Sequence, residues 1–490
     1  MIDVPKEVKN TIKKLEKAGF KAFVVGGCVR DLLREKEPED WDVTTNAKPE
    51  EIQKNFPENF YENKFLTVTI KTKSKNQKLK EIEITTYRSE ARYRDKRHPD
   101  EIKFAKTLEE DLKRRDFTVN AMALELITKG KKQNIKVIDL FDGQKDLKEK
   151  IIRAVGNPEE RFNEDALRMM RAVRLATVLG FKIEEKTEKA IKEKNQGLKQ
   201  ISEERIKEEF LKIIGSERAA EGVELLRKSG LLECIIPEIE EGYGCGQNKH
   251  HIYECYEHNL RSLAFAAKKG FNVYVKLASL FHDIGKPRSK RGKGQDSTFY
   301  GHEMIGAKMT TQILSRLKFP KKEIEKIVKL VRYHLFYYNV DEVTESSVRR
   351  LVREVGPENT EELLQVRMAD RIGSGVPKAE PYKLRHLKYI IEKVSQDPIS
   401  VKMLKMNGND VIKILKIQPG LRIGQILNIL LGYVLEDPKK NNKKFLEDEI
   451  KKLGKLPEKE LKKKAEKGEK EKEKVKMKRD EMTKQKYWVT

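Results

Sequence analysis

At 490 residues the chain has room for three or four domains with cores of their own. Charged residues make up 37% and aromatic residues 7%, which argues against an all-β protein and for long helices with solvated faces. Lys and Arg outnumber Asp and Glu 104 to 79, a net charge of +25; residues 455–490 carry only +6 of it, so the basic surface is spread over several domains and suits a polyanionic partner.

Four cysteines, Cys28, Cys234, Cys245 and Cys255, form no CxxC pair and no disulfide framework, which fits a reducing cytoplasm. The opening residues MIDVPKEVKN hold no apolar leader, and no run has the length of a membrane span, so no membrane partner is expected.

In chain order, Pro5 to Ala18 has the spacing of an amphipathic helix, with Val8, Ile12 and Leu15 on one face. Phe23-Val24-Val25 reads as a short buried strand, ended by Gly26-Gly27 where a side chain would obstruct a close approach. Cys28 to Arg34 follows as a short helix, placing Arg30 and the glycine amides where a phosphate is favoured. If Asp40-Trp41-Asp42-Val43 is a strand, its period of two puts Asp40 and Asp42 on one face, with Trp41 and Val43 buried behind. Two adjacent carboxylates repel unless a cation lies between them, and Mg2+ suits oxygen ligands completed by phosphate. Taken separately, GG is an ordinary turn and DWD an ordinary solvated strand end.

Pro49 to Asn55 is a short helix, and Thr67 to Thr72 and Ile82 to Tyr87 alternate as strands, the second with Glu81, Glu83 and Thr85 on one face. Glu83 there can bind metal, accept a proton or be plain strand surface. Ser89 to Phe104, with Arg92, Arg94, Lys96, Arg97 and His98, reads as a flexible basic loop. Arg114, Arg115 and Asp116 sit at a turn in LEEDLKRRDFTVNAM; the guanidiniums suit a triphosphate and the carboxylate a ribose hydroxyl, or the three form a solvated salt-bridge cluster. Asn163 to Leu179 reads as one helix without a breaker, on which Asp165 and Arg168 meet at i, i+3 and Arg171 and Arg174 extend the basic side. Such a pair is either an intrahelical salt bridge or a reader of C and A, since Asp accepts from the exocyclic amino group while Arg donates to the ring nitrogen beside it.

Together these motifs resemble the class II nucleotidyltransferases, the family of bacterial tRNA CCA-adding enzymes and poly(A) polymerases: VVGGCVRDLL then DWDVTT, IEITTYR, RRDFTVNAM over nine consecutive positions, and EDALR. The resemblance implies an α+β fold with a mixed-sheet nucleotidyltransferase head followed by a mainly helical neck, HD body and tail. It implies Asp40, Asp42 and Glu83 as the acidic catalytic set, with Asp40 and Asp42 on Mg2+. Gly26, Gly27, Arg30, Arg114 and Arg115 would bind the phosphates, Asp116 the ribose, and Asp165 and Arg168 the base, with Arg171 and Arg174 nearby. Partners would be tRNA, CTP and ATP.

Ile183 to about Leu232 is helical throughout, the neck. Downstream, His258, His282-Asp283, His302, His334 and Asp370 follow the order of the HD phosphohydrolase superfamily, which implies one or two divalent metals that activate water on a phosphoester. Cys245, His250, His251, Cys255 and His258 match no zinc-finger spacing and read better as a loop leading into those helices. Residues 401–454 resemble the tRNA-contacting tail of HD-containing members, and Gly454 to Lys486 is a Lys/Glu run, either disordered or a solvated helix. Expected boundaries are a head at 1–150, a neck at 151–232, an HD domain at 233–400 and tails at 401–454 and 455–490. The alternatives are a poly(A) polymerase or A-adding enzyme on the same scaffold, an HD phosphohydrolase with a degenerate RNA-binding head, and a non-catalytic RNA chaperone.

Overall fold

The computed structural model describes residues 3–62, 67–93, 99–129, 132–248, 252–395 and 400–489; for residues 89–93, 99–103, 128, 129, 132, 133 and 295 only the course of the backbone is described. Two units emerge, residues 1–335 with 362–377 and residues 336–361 with 378–490.

The first unit opens with α1 (Lys6–Lys17), β1 (Ala22–Val25), α2 (Gly27–Leu33), β2 (Asp42–Thr45), α3 (Pro49–Asn55), β3 (Asn59–Glu62), β4 (Thr67–Lys71) and β5 (Glu81–Thr86). With β8 (Met122–Lys129) and β9 (Lys132–Asp139) these strands make a seven-stranded sheet in the order β3-β4-β5-β2-β1-β8-β9. The sheet is mixed because β2 and β5 run parallel while the other pairs are antiparallel. Val8, Ile12 and Leu15 of α1 pack on Val24, Val43, Ile82 and Ile84, so the sheet's apolar face is covered as the helical spacing predicts.

Three expectations are corrected here. First, Asp40 is not on the strand. The β1 ladder ends at Val25 opposite Asp42, so β2 starts there and Asp40 lies in the preceding bend, although Trp41 and Val43 are buried as expected.

Second, the segment read as a basic loop folds back as β6 (Arg88–Tyr93) and β7 (Pro99–Phe104), paired from Arg88 opposite Phe104 to Tyr93 opposite Pro99. Backbone pairing demands no apolar alternation, so composition did not disclose it. Arg94, Lys96, Arg97 and His98 lie outside the described residues.

Third, the helix over 163–179 is broken. After α4 (Leu108–Lys113) and α5 (Gly143–Glu149), α6 (Pro158–Glu164) stops at Asp165, whose backbone is extended at φ −144° and ψ 105°, and α7 (Leu167–Leu179) starts again. Asp165 ends one helix and caps the next, accepting from the Leu167 amide at 3.0 Å.

Helices α8 (Glu185–Lys194), α9 (Glu203–Gly215), α10 (Ala219–Lys228), α11 (Leu231–Ile235) and α12 (Pro237–Glu240) follow. Then come α13 (Cys255–Lys268), α14 (Val273–Phe281), α15 (Lys286–Ser289), α16 (His302–Arg316) and α17 (Lys321–Tyr333). The first unit closes with the part of α19 (Thr360–Gly373) from residue 362 onward.

The second unit contains α18 (Glu345–Val355), α20 (Tyr382–Ser395), α21 (Gly408–Leu415), α22 (Leu421–Glu436), α23 (Lys443–Leu453) and α24 (Glu458–Tyr487). The Lys/Glu run is thus a helix of 30 residues. It lies across α22 where two glycines meet; a Cβ on Gly468 would sit 2.7 Å from the Asn428 carbonyl oxygen, and one on Gly432 3.1 Å from the Gly468 Cα. Among the described residues no helix is long and apolar enough to cross a membrane.

Candidate active sites

The first site is a cleft of about 390 Å3 at the edge where β2 and β5 run side by side, lined by Asp42, Glu62, Glu83, Arg88, Arg114, Arg115, Asp116, Asp165, Arg168, Arg171 and Arg205 among others. The parallel register sets Asp42 opposite Glu83. Burial, then the nearby Asp40 charge, push Asp42 up to about 7, with Glu83 adding to this and Arg115 opposing it. Glu83 is raised as well, by burial first and then by Asp40, Glu62 and Glu81. The sequence thus concentrates negative charge that a proton or a cation must offset, and an all-oxygen donor set fits a hard divalent ion.

Facing the acidic set, Arg114 and Arg115 are fixed by Asp111, a residue the motif reading passed over. Its fully buried carboxylate accepts from Arg114 Nε at 2.9 Å and Nη2 at 2.7 Å, and from Arg115 Nη2 at 3.4 Å. Burial pushes Asp111 up, but the two guanidiniums outweigh it and hold it below the usual carboxylate range. The i, i+3 and i, i+4 spacing of Asp111 to Arg114 and Arg115 was a usable signal. Gly26 approaches this wall at φ +83°, and a Cβ there would lie 3.1 Å from both Arg115 Nη1 and Asp42 Oδ2, so a side chain is excluded. Gly27 lies beside Arg30, which pairs with Asp31 (Nη2 to Oδ2, 2.7 Å) and donates to Asn120 Oδ1 at 2.8 Å rather than lining the cleft.

Asp116 accepts from the Phe117 amide at 2.8 Å and from Arg171 Nε at 2.7 Å. Burial would raise it, but the Arg171 charge and hydrogen bond, with Arg168 beyond, hold it at about 2. Asp165 and Arg168 share the cleft but are not an intrahelical pair. The break at Asp165 turns its carboxylate to Arg205, whose Nη2 donates at 2.7 Å, while Arg168 pairs with Glu164 and donates to the carbonyls of Arg161 at 3.3 Å and Arg114 at 3.2 Å. No motif flagged Arg205, which lies 40 residues beyond Asp165. Arg174 faces away, its Nε 2.8 Å from the buried Glu209.

The second site gathers His258 of α13, His282 and Asp283 just past α14, His302 at the start of α16, His334 just past α17 and Asp370 of α19, all in the first unit. The Nε2 atoms of His258 and His282 lie 2.8 Å apart, and His258 Nε2 is 3.0 Å from Asp283 Oδ2 and 3.4 Å from Asp370 Oδ1. His302 and His334 bring their Nε2 atoms to 3.3 and 3.5 Å from Asp283 Oδ1.

Three of these rings are oriented identically. Nδ1 of His282, His302 and His334 donates to the carbonyl three residues earlier, in Ser279, Phe299 and Val331, at 2.9, 2.7 and 2.7 Å. In its neutral form each ring therefore turns a lone pair toward a carboxylate, and His302 Nε2 is buried without a hydrogen-bond partner. A cation resolves that arrangement. His258, His282 and Asp283 form one set and Asp283, His302 and His334 another, the donor atoms of each within 4.8 Å of one another, so Asp283 is shared. Nitrogen and carboxylate donors together fit a divalent transition metal. Lys286 Nζ lies 2.5 Å from Asp283 Oδ2, a neighbour the motif reading did not name. Cys245 and Cys255 are free thiols, and His250 and His251 lie outside the described residues.

Models of three families match the chain: the Poly A polymerase head domain over residues 22–153, the probable RNA and SrmB-binding site of polymerase A over 180–242, and the HD domain over 255–374. The chain spans about half the length of the first curated relatives it matches; with the CCA-adding enzyme of Lactobacillus helveticus it is 50% identical over 41% of this chain and 48% of that one. With the CCA-adding enzyme of Ligilactobacillus salivarius it is 33% identical over 91% of this chain and 99% of the relative. With the A-adding tRNA nucleotidyltransferase of Deinococcus radiodurans it is also 33% identical, over 66% and 74%. Among solved structures, the CCA-adding enzyme of Bacillus stearothermophilus in complex with CTP superposes with a TM-score of 0.59 at 26% identity, covering 91% of this chain and 96% of that one. A likeness of 33% identity over 91% of this chain and 99% of a relative places the chain in the family of CCA-adding enzymes.

Proposed function

We propose that the chain adds or repairs the 3′-terminal CCA of tRNA in the cytoplasm, from CTP and ATP and without a nucleic-acid template. The observation that carries this reading is that Asp165 and Arg168 line the cleft of Asp42, Glu83 and Arg115 while each is held by a different neighbour, so neither neutralises the other. Asp40 and Asp42 would hold Mg2+, which supplies a lower pKa for the attacking hydroxyl and charge neutralisation for the triphosphate. The tRNA 3′-oxygen attacks the α-phosphorus, the bond to the β-phosphate oxygen breaks, and pyrophosphate leaves. Glu83, raised by burial and then by its acidic neighbours, would take the hydroxyl proton.

Arg114 and Arg115, their planes fixed by Asp111, hold the departing phosphates, with Gly26 and Gly27 permitting the approach. Asp116, kept ionised by Arg171, accepts from a ribose hydroxyl. A carboxylate has about four lone-pair sites. Asp165, engaged by Leu167 and Arg205, thus still has capacity to accept from the amino group of C or A, and Arg168 donates to the adjacent ring nitrogen; G and U present the reverse order. Arg30 and Arg174 would act through Asp31, Asn120 and Glu209 rather than on the nucleotide. The functional parts would be head 1–150, neck 151–232, HD body 233–400 and tails 401–454 and 455–490.

The two donor sets sharing Asp283 favour a second activity, metal-assisted hydrolysis of a phosphoester in the HD body. The test of the main reading is incorporation on a tRNA transcript lacking its last three nucleotides, with CTP alone, ATP alone and both, in Mg2+. Two C additions, then one A and a stop, are expected. Addition of A only, and only to a transcript ending in CC, would reassign the chain to A-adding enzymes. Open-ended A addition would make it a poly(A) polymerase.

A further inference from the structure

The cavity over the second site, about 420 Å3, changes chemistry from floor to rim. Asp283, His302, His334 and Asp370 form the floor. Lys286, paired with Asp283 at 2.5 Å, and, one helical turn apart on α19, Arg367, paired with Asp370 at 2.6 Å, and Arg371 make a cationic wall partly neutralised by the floor carboxylates. At the mouth stand Tyr300 and Leu335, 85% and 53% exposed.

Tyr300 does not dangle there. The preceding Phe299 is buried and its carbonyl accepts from His302 Nδ1 at 2.7 Å, while Gly301 at φ +74° starts α16 at that same histidine. The backbone on both sides of Tyr300 is thus fixed beside the residues that build the floor, and its side chain lines the cavity while remaining exposed. An aromatic ring at the mouth of a charged cavity suits a ligand with a phosphoester at one end and an aromatic base at the other.

We propose that Tyr300 is the base-stacking residue of this cavity, so that the second site selects phosphoesters joined to a nucleobase over simple alkyl phosphoesters. This rests on the reading of the HD body as a phosphohydrolase. In the reaction a water oxygen bonds to phosphorus, the ester P–O bond breaks, and the nucleoside hydroxyl leaves with a proton from water. Lys286, Arg367 and Arg371 meet the phosphate charge, and Tyr300 stacks on the base without reading its edges.

The test uses the full chain supplied with Mn2+ or Ni2+ and two probes, cytidine 3′-monophosphate and glycerol 2-phosphate. Tyr300→Ala should lower the preference for the cytidine ester roughly tenfold, through KM, and Tyr300→Phe should restore it. In Tyr300→Trp, the emission added relative to the parent chain should be quenched by cytidine 3′-monophosphate and not by glycerol 2-phosphate. An equal effect of Tyr300→Ala on both probes, or no quenching, overturns the proposal. Quenching without phosphate release from either probe would support stacking by Tyr300 and sink the phosphohydrolase reading instead.

Discussion

The two sites solve the same electrostatic problem in opposite ways. In the head, carboxylates of neighbouring segments crowd together, and burial and the Asp40 charge drive Asp42 up to about 7 against the opposing Arg115. In the second site, burial would push His258 down, yet Asp283 and Asp370 lift it to about 9, and three further rings are locked by carbonyls. On the proposed reading, the first is an oxygen-donor site whose charge a nucleotide and its metal would complete together, whereas the donors of the second are already gathered. A transient and a resident metal would then call for different donors.

The sharpest way to break this contrast is Asp42→Ala, which should abolish incorporation of both C and A while leaving the metal content of the second site unchanged; residual incorporation near the parent rate would remove Asp42 from the metal set. Next is stoichiometry after dialysis against excess chelator-free buffer, read by elemental analysis. Asp283→Asn should empty both donor sets because it is shared, whereas His334→Ala should cost one set only. Equal losses would show a single ion. Arg205→Ala should loosen Asp165 and lower selection of C and A over U and G by about 10- to 100-fold, the scale of one bidentate base contact, measured by misincorporation.

A smaller effect separates the sites by pH. Asp116 is held at about 2, below the ordinary 3.8, so its contribution is full above pH 4 and is lost as pH falls through 2. That contribution is about 2 kcal/mol, from 1.36 kcal/mol per pKa unit. Asp116→Asn should therefore flatten the acid limb of unfolding monitored by circular dichroism, and an unchanged limb would deny the Arg171 pairing. Smallest is Thr107→Ala, which removes the side-chain acceptor of the Glu110 amide at the start of α4 and should cost about 1 kcal/mol in denaturant unfolding.

The two sites also differ in how much of them the sequence discloses. GG, DWD, RRD and EDALR are local, and each lands on the cleft or its immediate support because a few adjacent residues set its geometry. The break at Asp165 is not legible in that way. EDALR has helical spacing throughout, yet α6 ends at Asp165, whose carboxylate competes for the Leu167 amide and is held by Arg205. Arg205 acts through a tertiary contact that no motif marks, whereas Asp111 was within reach of the sequence through its i, i+3 and i, i+4 spacing to Arg114 and Arg115. In the HD body the order of ligands is legible, but the orientation of the rings is not, since it depends on carbonyls of residues such as Ser279 and Val331 that carry no chemical signature. The β6–β7 hairpin was hidden by its polar composition.

The crossing of α22 and α24 has a further consequence. Glycine is the poorest helix former after proline, by about 1 kcal/mol relative to alanine. Gly468 nevertheless sits inside a 30-residue helix rich in Lys and Glu. Replacing it with alanine would strengthen that helix as an isolated peptide and weaken it in the protein, because the new methyl group would meet the Asn428 carbonyl. Local preference and global fit are opposed at this one position, and the protein has resolved the frustration in favour of the fold.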